Sequence, residues 1–140
     1  MFIGNRDGIL VLYSLDVNGY SRKILKAYRD LGIGRIYSSL KIGNIAVFGG
    51  DDSSVALIDI DKRQNLGIIS DLAVHKIYSI KLCKVKKNNK SDVKLLLTAT
   101  GKNYDYSSSK TDVLDITEFI KSEEKNGNTL NNQLRIKQRS

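Results

Sequence analysis

One histidine, one cysteine, a pair of adjacent aspartates, a run of three serines and a cluster of lysines are the residues of this 140-residue chain whose types could do chemistry. His75 is the single candidate for general acid–base work near neutral pH, because imidazole alone titrates there unperturbed. No nucleophile and orienting group accompany it, so a structural role, linking consecutive sheets near the core, accounts for it better. Cys83 ends the apolar run at 77–83 and is expected to be a small buried hydrophobe; a reactive thiolate needs an exposed, electropositive setting. A lone cysteine closes no internal disulfide and builds no metal site. Asp51 and Asp52 fall short of calcium's roughly six to eight oxygens, and turn formation explains them. Gly49-Gly50 and Gly32-Ile33-Gly34 lack the lysine and following helix of a phosphate cradle. Ser107-Ser108-Ser109 beside Lys110 could accept phosphate, gaining about two negative charges each, though a polar loop is the simpler account. The reading is of no catalytic residue, no metal and no cofactor, and so of a protein that is not an enzyme.

Lysines are the remaining chemistry. Lys81, Lys84, Lys86, Lys87, Lys90 and Lys94 are opposed only by Asp92, and this stretch supplies about five of the formal +8 charges. A solvated loop joining two strands is one reading. The other is an electrostatic footprint in which Lys84, Lys86, Lys87 and Lys90, with Arg135, Lys137 and Arg139 near the end of the chain, bind nucleic acid or an acidic membrane surface. No aromatic residue lies among the lysines to stack a base, which weighs against nucleic acid.

What positions these residues is a repeat. Residues 47–61, VFGGDDSSVALIDID, read as strand, turn and strand. Residues 2–16, FIGNRDGILVLYSLD, repeat the pattern 45 residues earlier, with Gly4, Asp7, Leu12 and Asp16 answering Gly49, Asp52, Leu57 and Asp61. A looser copy at 96–117 ends in VLDIT. Independently, Ile36-Tyr37-Ser38 returns as Ile77-Tyr78-Ser79, displaced by 41 residues. Two such offsets fit a β-blade repeat of about 40–45 residues. The short β-branched runs, bounded by Gly, Asp, Asn and Ser, argue against a helical solenoid.

In chain order, the Asp7-Gly8 turn separates a short strand from the apolar run 9–15, which stops at Asp16-Val17-Asn18-Gly19. Residues 22–31 are ambiguous: Ile24, Leu25, Tyr28 and Leu31 fit helical spacing, while a blade requires a strand through 23–28. The strand is preferred because its neighbours demand it. Segments 36–42, 45–48, 55–60 and 66–69 make one complete four-stranded blade, and 71–75 cross to the next. That blade holds 77–83, the lysine-rich insert 81–94, a strand at 93–100, an enlarged turn at 101–112 and a third strand at 113–117. Residues 121–140 are polar and bury too little to offset their ordering entropy, so a flexible tail is expected; Leu134-Arg135-Ile136 could add an outer strand to the last blade.

The chain resembles the WD-repeat family of β-propellers over about residues 1–119. Tyr13-Ser14, Ile58-Asp59 and Leu114-Asp115 match the family's Trp-Asp position, Asp52 and Asp7 match its turn aspartate, and His75 stands near its Gly-His pair. There is no tryptophan, and Val74 replaces the glycine. The resemblance implies an all-β fold of consecutive four-stranded antiparallel blades, a partial WD-repeat-like β-propeller. Residues 1–31 would be a partial blade, 32–72 a complete one and 73–120 one with insertions; Asp7, Asp52, Asp59, His75 and Asp115 would hold structural blade positions. It also implies a non-catalytic scaffold for protein–protein interactions. Propellers typically have about four to eight blades, and this length yields about three. The expectation is therefore a fragment of a longer propeller, or open edges covered by a partner or by self-association. No signal peptide or spanning apolar run is evident, and the expected setting is intracellular, cytoplasmic or nuclear.

Overall fold

A computed structural model describes residues 1–19, 21–86, 93–103 and 108–126. Among the described residues ten strands form three antiparallel sheets, each a meander in which neighbours in sequence are neighbours in space, and one helix follows them. The first sheet holds β1 (Phe2–Gly4), β2 (Leu10–Leu15) and β3 (Arg22–Tyr28). The central sheet holds β4 (Ser38–Ile42), β5 (Ile45–Gly49), β6 (Val55–Asp59) and β7 (Gln64–Ile69). The third holds β8 (Lys76–Lys86), β9 (Val93–Lys102) and β10 (Ser109–Asp115), and α1 (Thr117–Asn126) follows.

The central sheet is buried on both faces. Alternation on β5 and β6 sends Val47, Val55 and Leu57 into one apolar cluster with Ile77, Ile80, Leu97 and Leu114 of the third sheet. Ala46, Phe48, Ala56 and Ile58 enter the other, with Leu10, Leu12 and Tyr28 of the first. A strand covered on both faces reads as an unbroken apolar run, which is what VALI and IAVF are.

Strand register gives the repeat its physical meaning. β3 and β7 each carry a bulge, opposite Leu12–Tyr13 of β2 and Leu57–Ile58 of β6, pairs 45 residues apart. The extra residue in each is a leucine, Leu25 or Leu66, packed against the core. A bulge puts two adjacent residues on one side of a strand and breaks period-two alternation. That is why Leu25 and Tyr28 stand at helix-like spacing although residues 22–28 form β3. Pairing also aligns Ser14, Asp59 and Asp115: Ser14 faces Lys23 as Asp59 faces Gln64, and Ile45 faces Asp59 as Leu96 faces Asp115.

Contact between sheets depends on missing side chains. A Cβ on Gly4 would stand 3.0 Å from Ile36 Cδ1, and one on Gly49 would stand 2.6 Å from Ile77 Cγ2. The two sequence echoes are thus the two halves of one recurring contact. Where the central sheet has Gly49, register places Thr100 in the third, and Thr98 and Thr111 replace Val47 and Val55. The third sheet's outward face is consequently hydroxyl-rich, with Thr100 and Thr111 Oγ1 atoms 3.3 Å apart.

Several expectations change. β8 runs through Lys86, so Lys81, Lys84 and Lys86 lie on a strand and not in a loop. Cys83 is exposed, because alternation on β8 turns Leu82 inward and its neighbour out. The enlarged turn at 101–112 shrinks: β9 continues to Lys102, paired with Ser109 at the start of β10. The third strand ends at Asp115, and Thr117 opens a helix that carries ordered structure past the tail boundary at 121. Phe119 and Ile120 anchor that helix in the core. Leu134-Arg135-Ile136 lies outside the described residues. Among the described residues no helix is long and apolar enough to cross a membrane.

Gly50 has the tightest surroundings in the central sheet, with an added Cβ 2.0 Å from the Ile33 carbonyl oxygen. Gly50→Ala is expected to destabilise the fold by ~3 kcal/mol, near the upper end for overpacking. Gly43→Ala meets nothing within 4 Å and suffers only a φ of 60°, so it should cost about 1–2 kcal/mol. Urea unfolding of the two variants checks the difference.

Candidate functional site

The turn at 50–54 is bound by backbone from both inter-sheet connections. Asp51 N donates to Ile33 O at 2.7 Å, Ser53 N to His75 O at 3.0 Å, Leu72 N to Ser53 O at 3.0 Å and Ile77 N to Gly50 O at 3.0 Å. The two connections arrive with matching residues: Leu31 and Ile33 on one, Leu72 and Val74 on the other, all buried.

Past this clamp the connections lead into β4 and β8, which run against each other, Ser38 Oγ donating to Ile77 O at 2.8 Å. Their leading residues gather into one patch. The Tyr37 and Tyr78 rings meet edge to face, with centroids 5.0 Å apart. The Arg35 guanidinium lies 5.9 Å from the Tyr37 ring centre. Lys76 reaches the same tyrosine from its hydroxyl end, Nζ to OH 3.3 Å, and stands 3.5 Å from Asp51 Oδ1 without hydrogen-bond geometry. Tyr78 is 45% exposed. Two aromatic rings flanked by an arginine, a lysine and one carboxylate can bind a peptide through stacking, cation–π contact and charge-assisted hydrogen bonds.

Sequence reasoning missed this patch as a site, although its signal was present. The Ile-Tyr-Ser echo marks Tyr37 and Tyr78 at equal positions, and Arg35 and Lys76 precede them at the same offset. The repeat alone does not say that equivalent tyrosines touch.

The predicted blade residues do local structural work. Asp7 lies exposed in the β1–β2 turn, where its backbone N donates to Asn5 Oδ1 at 2.9 Å. Asp52 is exposed, and its carbonyl accepts from Ser54 Oγ at 3.0 Å. Asp59 Oδ1 accepts from Lys62 N at 2.9 Å and closes the β6–β7 turn. His75 is half-buried and stitched at both backbone groups, to Ser53 and to Lys102 O, the latter at 2.9 Å. Asp115 Oδ1 accepts from the Thr117 hydroxyl at 2.6 Å and from its backbone N at 3.0 Å, while Thr117 Oγ1 accepts from Leu95 N at 2.8 Å. That relay fixes where α1 begins on β9. Asp112, which sequence reasoning left in a loop, is buried: its Oδ2 accepts from Ala73 N at 2.8 Å and ties the crossover to β10.

Lys84 and Lys86 are exposed and project from one face of β8; Lys87 and Lys90 lie outside the described residues. Among the described residues no group of three or more His, Cys, Asp or Glu could hold a metal ion. No protein-family model matches the chain. No curated protein is significantly similar to it.

A hollow of about 360 Å³, between the β4–β5 turn and α1, is lined by Asp59, Lys62, Ile120 and Glu123 among others. Burial pushes the Glu123 carboxyl above its ordinary value, the Asp59 carboxylate adds to the rise and Lys62 opposes it. A raised carboxyl stabilises the folded chain fully below its unfolded pKa, and that contribution disappears as pH climbs through the folded value. Glu123→Gln should therefore flatten the pH dependence of stability through the carboxylate range. It should also raise the melting temperature at pH 7 by about 1–3 °C, since Glu123 Oε1 has no hydrogen-bond partner among the described residues. Thermal unfolding of both proteins from pH 4 to 7 is the measurement.

Proposed function

We propose that this chain is a non-catalytic protein-interaction scaffold, built as a partial β-propeller of WD-repeat-like blades, which holds the Arg35–Tyr37–Lys76–Tyr78 patch toward a protein partner. The observation that carries the reading is this patch. Side chains equivalent in two successive repeats converge on one surface, with rings 5.0 Å apart and one of them 45% exposed. Aromatic and arginine side chains on a rigid base are the usual anchors of a protein interface. Three features support the propeller architecture: meanders in chain order, bulges at matching positions in β3 and β7, and a central sheet buried between the other two.

Tyr78→Ala removes an exposed ring and leaves the core intact. Affinity for a purified partner should fall at least tenfold, about 1.4 kcal/mol or more, with the unfolding midpoint unchanged. Titration of the two proteins against that partner, beside their denaturation curves, makes the comparison. Equal affinities would rule the patch out.

A second reading rests on the exposed pair Lys84 and Lys86 on one face of β8: binding of nucleic acid or an acidic membrane surface. Such binding should weaken steeply between about 50 and 200 mM salt. It should also vanish when Lys84, Lys86, Lys87 and Lys90 are all replaced by serine. Binding of single-stranded oligonucleotides and of acidic vesicles, each at both salt levels, separates this reading from the first.

A further inference from the structure

The hollow beside α1 lies at the end of β4 away from Tyr37, and its 360 Å³ falls in the range of small-ligand sites, about 300–1,000 Å³. The end of β6 and the turn after it supply Asp59, Asp61 and Lys62, while α1 supplies Ile120 and Glu123, three residues apart and so on one helix face. Ile60 N donates to Asn44 O at 2.8 Å, which holds this turn against the one between β4 and β5. Ile42 and Ile45 complete apolar walls around three carboxylates and one lysine. On a chain of formal charge +8 this is a local excess of negative charge.

Glu123 is the residue that folding does not explain. It is 9% exposed, and its Oε1 has no hydrogen-bond partner among the described residues. A carboxylate placed in this way gives up hydration without a compensating bond. It also stands in the last turn of α1, where the helix dipole disfavours negative charge. Lys62 does not neutralise it: its backbone N donates to Asp59 Oδ1, and among the described residues its ammonium forms no ion pair with any of the three carboxylates. Nor do the carboxylates converge as metal ligands do, since among the described residues no group of three could hold a metal ion. Acceptors spread over apolar walls are complemented by N–H donors that fan out from a hydrocarbon stem.

We propose that this hollow binds an organic cation from outside the chain, an ammonium or guanidinium group held by Glu123, Asp59 and Asp61 with its aliphatic stem against Ile42, Ile45 and Ile120. Such a group supplies the charge partner that the Glu123 carboxylate lacks. A lysine or arginine side chain of a partner polypeptide and a free amine offer the same chemistry. The tyrosine patch lies at the other end of β4, so binding here does not depend on it.

The probes are n-butylammonium and n-butylguanidinium, titrated into the whole chain at pH 7 and followed by backbone amide NMR. Saturable shifts at Asn44, Ile120 and Glu123 are expected, and n-pentanol, neutral and of similar length, should bind at least tenfold more weakly. Glu123→Gln keeps the shape of the side chain and is expected to be the more stable protein, so unfolding does not confound it; it should weaken both cations at least tenfold. Asp61→Asn, at an exposed position, should weaken them about threefold. Lysine and arginine capped as N-acetyl methylamides separate the sources. Tighter binding than the alkyl cations assigns the ligand to a polypeptide side chain and weaker binding to a free amine, and either order supports the cation site.

Unchanged affinity in Glu123→Gln, equal binding of n-pentanol, shifts confined to other residues, or failure of both cations to saturate in the millimolar range would each overturn the proposal. Replacing Arg135, Lys137 and Arg139 with serine adds one more check. If that variant moves the Glu123 amide with no cation added and tightens the probes, the chain's own end is the occupant and the assignment to an outside ligand is overturned.

Discussion

Backbone from three separate stretches meets at the turn 50–54 with no side chain between them. The carbonyl of Ile33 reaches it from the first connection, and His75 and Leu72 reach it from the second. Buried peptide groups must be paired, and here each stretch satisfies the others. The arrangement is available only because residue 50 has no Cβ to hold the chains apart. Gly101 likewise has a backbone carbonyl where its Cβ would stand, here that of Lys76 on the paired strand β8 within the third sheet.

Once that joint is set, the rest of the architecture follows from alternation and bulges. Period-two strands bury both faces of the central sheet, and the bulges at Leu25 and Leu66 turn an extra leucine toward the core at matching places. The two ends of the array then differ. Thr98, Thr100 and Thr111 make the third sheet's outer face polar, and a threonine where Gly49 stands elsewhere does not allow an inner strand to approach as β8 approaches β5. The first sheet turns Met1, Ile3, Leu15 and Ile24 to solvent, each at least 40% exposed. An apolar outer face of this kind is a feature that edge- and patch-protecting devices normally remove.

The aromatic patch is a by-product of the same repetition. Tyr37, just before β4, and Tyr78, on β8, come close because those strands run side by side, so a tyrosine repeated at an interval of 41 positions meets its own counterpart. The carboxylates singled out from the sequence serve a different purpose. Asp59 and Asp115 hold register-equivalent positions, yet one closes a tight turn and the other fixes the start of a helix. The position repeats while the hydrogen-bond partner changes with the segment that follows.

Alternation, turn residues and two offsets in the sequence were enough to establish an all-β chain, the complete four-stranded sheet at its centre and the strand character of residues 22–28. These are local properties: side-chain period and turn chemistry are written into neighbouring residues. Tertiary structure alone decided that Cys83 faces solvent, that Asp112 is buried against Ala73, that residues 117–126 are helical and that Tyr37 meets Tyr78. Each of these depends on which distant segment packs alongside, and spacing along one chain carries no record of that contact until the sheets are assembled.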